Sequence, residues 1–291
     1  MFLEVNDSQL LFEGKVKITF DDILNGIDKE EDDIIYLAGS LVEGFVNKYA
    51  KGMGNLYSDI DVFIIREKDK FENAEAEYIE DVRKNYFRNI NGFDIDIEMF
   101  DKDYVITLQS ALKELNISKN LRPSNMLKDK LQVGYSIDLI NEFLTRFKNS
   151  ICIYNKNSYK KFQDNINYTN FLNLKLVNLV ANIDNIIDDI KGNLFVKETD
   201  TALYSMREAI LILMEMALTN EYIYIDRNKW IALKFLNLAK SIEKYNVIHE
   251  LYTDFFRSDL IDNNTCLNKI SYSLSLLQKE VEKIVLGDLG I

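Results

Sequence analysis

The sequence predicts an α/β or α+β fold, a domain with a small mixed sheet followed by an α-helical bundle. Three observations carry this expectation. Two extended stretches, Ser58-Asp-Ile-Asp-Val-Phe-Ile-Ile65 and Phe93-Asp-Ile-Asp-Ile-Glu-Met-Phe100, alternate acidic and apolar residues with a period of two. A compact apolar run, Ile34 to Ala38, is followed at once by Gly39-Ser40 and a helix-compatible stretch. Beyond Asp101 the apolar residues recur at helical spacing almost to the end of the chain.

In chain order, Leu11 to Phe20 reads as a β segment, and Asp21 to Gly26 as a short helix capped by Thr19 or Asp21. Ile34–Ala38, with acids before it and Gly39-Ser40 after it, suits a buried strand. Leu41 to Ala50 follows as a helix, and Lys51-Gly-Met-Gly-Asn-Leu-Tyr57 as a glycine-bearing loop. The first acidic strand comes next. Phe71 to Asn89, rich in Glu, Ala and Lys, is expected to be a crossing helix, after which Asn91-Gly92 turns into the second acidic strand. Helical segments are then expected at 104–115, 136–147, 159–164, 171–191, 202–219, 229–245 and 271–286. The only proline, Pro123, falls in a polar stretch read as a loop. The expected division is residues 1–115 against 116–291.

Composition bounds the function. The chain has 291 residues, of which 47% are hydrophobic and 28% charged, enough apolar material for a substantial core. No apolar run reaches the ~18 residues that a membrane helix requires, and the start shows no basic segment leading an apolar one. Two distant cysteines, Cys152 and Cys266, fit reduced thiols in a cytosolic protein. The net charge is −12, opposite in sign to the basic footprint by which proteins hold long nucleic acid. Such a field attracts a small cationic partner instead.

The chemistry lies in the acids. Alternation along a strand puts Asp59 and Asp61 on one face, and Asp94, Asp96 and Glu98 on one face, while Ile60, Val62, Ile64, Ile95, Ile97 and Met99 point to a core. If the two strands are neighbours, one sheet face gathers negative charge with no local Lys or Arg. Like charges side by side destabilise a sheet, and a divalent metal held by oxygen ligands is the natural counter-cation. Gly39-Ser40 reads as a phosphate-binding turn, since glycine lets backbone approach a phosphate and a helix start offers unpaired N–H groups.

This ordered set resembles the DNA polymerase beta-like nucleotidyltransferase superfamily: apolar strand, Gly39-Ser40, Gly44, then Asp59-Ile60-Asp61, then a third acid. The wording Tyr57-Ser58-Asp59-Ile60-Asp61 looks most like small-molecule nucleotidyltransferases of the kanamycin- and streptomycin-modifying kind, over residues ~30 to 100. The segment from Ser40 to Asp59, with Lys48, Lys51, Gly52 and Gly54, is longer than in compact members. The resemblance implies that Asp59 and Asp61 hold two Mg²⁺ ions, that Gly39, Ser40 and Ser58 contact the nucleotide, and that Asp96 is the third metal-binding and catalytic acid. Asp94 and Glu98 are alternatives to it. Arg207, Lys229 and Lys234 in the helical half are candidates to reach the triphosphate, with the active site in the cleft between the two halves.

The expected reaction is transfer of a nucleoside monophosphate, AMP from ATP, to a hydroxyl of a small acceptor such as an aminoglycoside, releasing pyrophosphate, as antibiotic-resistance enzymes of this kind do. A homodimer is compatible with it. Alternatives are a same-fold enzyme acting on RNA, protein or a second nucleotide, and a catalytically silent nucleotide-binding module. Trp230 reads as a packing anchor. His249, the only histidine, has no nucleophile motif to serve.

Overall fold

The computed structural model describes all of the chain except residues 1–2, 7, 13–15, 56, 116, 118–135, 259–262 and 288–291. Pro123 and its polar stretch lie outside the described residues. The chain divides into two compact units, Met1–Glu114 with Gln132–Asn167, and Leu115–Leu131 with Tyr168–Ile291. Residues 132–167 therefore belong with the first unit, across the division expected at 115/116.

The first unit opens with β1 (Leu3–Val5), β2 (Gln9–Phe12) and β3 (Val16–Thr19), paired antiparallel in one small sheet. The single β segment expected over Leu11–Phe20 is thus a pair of strands, and the helix α1 (Phe20–Gly26) begins at its last residue. Of the two cap candidates, Thr19 serves. Its hydroxyl accepts from the Asp22 N–H at 3.0 Å, and the Asp22 carboxylate accepts from the Thr19 N–H at 2.9 Å, a reciprocal capping box.

The central sheet is built from β4 (Ile34–Ala38), β5 (Ile60–Arg66), β6 (Tyr78–Ile79), β7 (Arg83–Ile90), β8 (Phe93–Asp101) and β9 (Ile151–Tyr154), in the order β6-β7-β8-β5-β4-β9. All its pairings are antiparallel except β5 with β8. Between these strands run α2 (Gly39–Val46), α3 (Lys68–Asn73), α4 (Lys102–Glu114) and α5 (Ile137–Lys148), and α6 (Lys156–Asn165) follows β9. The crossing helix expected over Phe71–Asn89 is not there. A single short helix, α3, is followed by β6 and by β7, an eight-residue strand paired to β8. The reason is local. Lys84 and Tyr86 are buried and alternate with Asn85 and Phe87 on the other face, a period of two. Asn91 and Gly92 both have positive φ, 53° and 85°, the backbone of the tight turn that joins twisted antiparallel strands.

One face of the sheet buries Ile35, Leu37, Ile60, Val62, Ile64, Ile95, Ile97 and Met99 against α1, α2 and the small sheet. Each apolar position assigned to a core by alternation is in it. The opposite face carries Phe63, stacked on Tyr36, with Tyr36 and Phe100 meeting Tyr104, Phe143, Phe147 and Tyr159 of α4, α5 and α6 at ring-centroid distances of 5.0–6.0 Å. At the end of β5 the fully buried Arg66 is bound by Asp33 at 2.7 Å and by the Asp28 carboxylate at 3.0 Å and carbonyl at 2.9 Å. These bonds lift its pKa further above the ordinary arginine range, against the effect of burial. They tie the end of β5 to the segment entering β4 and so hold the register that sets Ala38 opposite Asp61.

The second unit is helical: α7 (Tyr168–Val196), α8 (Thr199–Asn220), α9 (Ile231–Ala239), α10 (Asn246–Phe256) and α11 (Asn263–Gly287). The helix expected from Lys229 to Tyr245 is shorter, with 3-10 turns at Asn228–Trp230 and Glu243–Tyr245 on either side of α9, and α10 is a separate helix carrying His249. Among the described residues no helix is long and apolar enough to cross a membrane.

Candidate functional site

The parallel pairing of β5 and β8 sets Asp61 directly beside Asp96. With Ile60 and Ile95 in the core on one side, both aspartates project from the other. Continuing across the sheet gives rows on that face. The outermost holds Asn89 and Asp94, the next Phe87, Asp96, Asp61 and Ala38, and the third Asn85, Glu98, Phe63 and Tyr36. Exposure falls along the strands. Asp59, one residue before β5, and Asp94 are exposed, Asp61 and Asp96 are half-buried, and Glu98 is 5% exposed.

Glu98 departs from expectation. The acidic face was expected to lack local cations, yet Arg146 of α5 binds the Glu98 carboxylate at 2.9 Å and Arg83 of β7 approaches it at 3.5 Å. Glu142 joins both arginines, at 2.5 Å to Arg146 and 3.2 Å to Arg83. Burial pushes the Glu98 carboxyl up to about 7 while the two arginines pull it down. Glu98 is a member of a buried ionic cluster, its charge answered by the chain's own arginines.

Asp96 and Asp94 each take a bond from an asparagine on β7. Asn85 Nδ2 donates to Asp96 Oδ1 at 2.6 Å, and Asn89 Nδ2 donates to Asp94 Oδ1 at 2.8 Å. Asp59, Asp94, Phe87, Arg88, Asn89 and Ile95 line an open cavity of about 390 Å³ at this end of the sheet. Phe87 is 46% exposed there, unusual for a ring in the middle of a sheet face. The β7 residues Asn85, Phe87 and Asn89 were missed because the segment reads as helix by composition. The alternation over 82–90, together with Asn91-Gly92, was the signal for them.

Gly39 adjoins the same pair of aspartates. It begins α2 with φ +76°, and a Cβ built on it would lie 1.8 Å from Asp61 Oδ2. Only glycine fits there, both for the backbone and for the carboxylate beside it. Ser40 follows in the first turn of α2, half-buried. The long loop after α2 folds back on that helix: a Cβ on Gly44 would meet the Met53 carbonyl at 2.6 Å, and Gly54, with φ +73°, packs on Leu41. The Ser58 hydroxyl accepts from the Asn55 N–H at 3.0 Å and shapes the approach to β5.

The three basic candidates of the helical unit differ in availability. Lys234 is 0% exposed, and its ammonium donates to the Tyr224 carbonyl at 2.8 Å, so it is not presented to a triphosphate. Arg207 is half-buried and donates to the Phe255 carbonyl at 2.9 Å. Lys229 is exposed, over the Trp230 ring at 5.0 Å.

Among the described residues no group of three or more His, Cys, Asp or Glu side chains is placed to hold a metal ion. The expected trio of Asp59, Asp61 and Asp96 is therefore a neighbouring pair, Asp61 and Asp96, with Asp59 at the exposed rim. No protein-family model matches the chain, and no curated protein matches it.

Proposed function

We propose that the chain is a Mg²⁺-dependent nucleotidyltransferase that moves a nucleoside monophosphate, AMP from ATP, onto a hydroxyl of a small acceptor and releases pyrophosphate. The observation that carries the reading is the adjacency of Asp61, Asp96 and Gly39. Two carboxylates share a sheet face in register, and a left-handed glycine opens a helix against one of them. Mg²⁺ keeps several waters and takes one or two carboxylates plus substrate phosphate oxygens, so a pair of aspartates has fitting donor chemistry without a third ligand from the chain. In this reading Asp61 and Asp96 hold the metal, which when bound neutralises charge building on the phosphates and the leaving pyrophosphate.

The remaining roles follow from the chain's own groups. The N–H groups of Gly39 and Ser40 in the first turn of α2 donate to phosphate oxygens, and the missing Cβ lets the phosphate approach. Asp96, held by Asn85, accepts the proton of the acceptor hydroxyl. Asp59 and Asp94, flanking Phe87 in the open cavity, attract the amines of a cationic acceptor such as an aminoglycoside, in keeping with the net charge of −12.

The test is incubation of the pure protein with each NTP, Mg²⁺ and a panel of metabolites and antibiotics, read by mass spectrometry. A gain of one nucleotidyl group on one panel member, lost in Asp61→Asn and Asp96→Asn, is expected. No transfer to any small acceptor, with label appearing on RNA, protein or a second nucleotide, would move the activity to a larger acceptor. A second reading, a nucleotide-binding module without transfer, is favoured by Asp59 standing apart at the rim. Nucleotide binding that survives in both variants, with no transfer by any of the three proteins, selects it.

A further inference from the structure

Asn85 makes the 2.6 Å bond to Asp96 at a cost to itself. A carboxylate only accepts, so the amide must present Nδ2 to Asp96, and its oxygen is then directed away. That oxygen, Asn85 Oδ1, is buried and has no hydrogen-bond partner. A buried acceptor left without a donor destabilises a fold, and an apolar side chain of similar size at the same place would not carry that penalty. Asn85 faces Glu98 on β8 and Tyr78 on β6 in the middle of a strand, where β-branched and aromatic side chains fit best. The amide stands where its unpaired buried oxygen costs stability.

We infer that Asn85 is a positioning residue for the metal-binding pair, fixing the Asp96 carboxylate beside Asp61 so that both present oxygens to one divalent cation. The inference rests on the nucleotidyltransferase reading for the roles of Asp61 and Asp96, and adds a group outside the expected motif. A donated hydrogen bond orients the carboxylate, as outer partners of metal ligands generally do. Loss of such partners commonly weakens metal affinity about 10- to 100-fold.

The experiment uses the full chain and Mn²⁺ alone as probe, with free Mn²⁺ counted by electron paramagnetic resonance and folding followed by thermal melting. Wild type, Asp61→Asn and Asn85→Val are compared. The expected result is saturable Mn²⁺ binding by wild type, its loss in Asp61→Asn, and at least about tenfold weaker binding in Asn85→Val with a Tm equal to or above wild type. A lower Tm in Asn85→Val with unchanged Mn²⁺ affinity makes Asn85 a structural residue and overturns the inference. If Asn85→Val does not fold, Asn85→Ser, too short to reach Asp96, replaces it and is judged on Mn²⁺ affinity against Asp61→Asn. Equal Mn²⁺ binding by wild type and Asp61→Asn overturns the metal assignment itself, whereas loss in Asp61→Asn with none in the Asn85 variants overturns only the role of Asn85.

Discussion

Replacing Gly39 by alanine separates two costs that the structure joins at one position. The first is conformational. At φ +76° an alanine Cβ crowds its own backbone, for roughly 1–2 kcal/mol. The second is a collision. The new Cβ would lie 1.8 Å from Asp61 Oδ2, 2.4 Å from its Cγ and 2.9 Å from its Cβ, where real contacts stay above 3.0 Å. The carboxylate oxygen must retreat by about 1.2 Å, the difference between 3.0 and 1.8 Å. Rotation of the side chain alone does not suffice, because the Asp61 Cβ is itself inside the limit and moves only with the strand. Overpacking of this kind costs roughly 1–3 kcal/mol more. Gly92 supplies the control, since its φ is +85° but a Cβ there meets nothing within 4 Å. Gly92→Ala is expected to lose only the conformational part, about 1–2 kcal/mol, and to keep Mn²⁺ binding. Gly39→Ala is expected to lose about 2–5 kcal/mol, the sum of both costs, and to lose Mn²⁺ binding with the displaced Asp61. Urea unfolding and Mn²⁺ titration of both variants decide it. Equal destabilisation, with metal binding intact in both, would refute the claim that Gly39 exists to make room for Asp61.

Two further outcomes follow from buried charge. The Glu98 carboxyl is pushed from its ordinary 4.5 to about 7, so between those values the folded chain holds a proton that the unfolded chain has released. Stability contributed by this group therefore falls as pH rises from about 4.5 to about 7, by on the order of 3 kcal/mol at most. Urea midpoints across that range should decline in wild type and flatten in Glu98→Gln, and an unchanged slope in the variant would assign the decline elsewhere. In the second unit, Lys234→Met should lower Tm clearly, by stranding the buried Tyr224 carbonyl that its ammonium serves, while Lys229→Met at an exposed position should leave stability within about 0.5 kcal/mol of wild type. Equal melting of the two variants would deny Lys234 a structural role.

The acidic strands were legible because burial enforces their period. Ile60, Val62 and Ile64, with Ile95, Ile97 and Met99, alternate strictly with polar or acidic neighbours at the open end, and a one-residue slip would put every carboxylate into the core. Their adjacency was not legible, since nothing local in either strand tells that β5 lies beside β8. The strand β7 was misread because Glu72 to Glu77 has a helix-forming composition, and the alternation that contradicts it begins only at Val82. With β7 hidden, the asparagines serving Asp94 and Asp96 were hidden too. The four residues of β9 were lost for a different reason. Ile151-Cys-Ile-Tyr154 is too short an apolar run to distinguish from the helices around it, and its pairing to β4 comes from a distant part of the chain. The cations of the Glu98 cluster show the same limit, since Arg146 stands 48 residues away on a helix whose docking no sequence pattern announces.

A single gradient of burial along β8 explains how one repeated acid pattern serves unequal roles. Asp94, Asp96 and Glu98 are equivalent by alternation, but α5 covers only the far part of the face they share. At Glu98 water is excluded, so the chain must supply the counter-charge itself, and it does so with Arg146 and Arg83. At Asp94 water and an asparagine amide suffice. Asp96 stands between these regimes, half-buried, bonded by the neutral amide of Asn85 and abreast of Asp61. In the proposed reading, a half-buried carboxylate pair attracts a cation more strongly than a fully solvated one and still lets it exchange. Which of the three repeated acids keeps an accessible face beside Asp61 is thus set by where the helical cover ends, which the repeated pattern does not announce. Extending that cover, by an apolar substitution at Asn85, is expected to stiffen the sheet at the expense of the site.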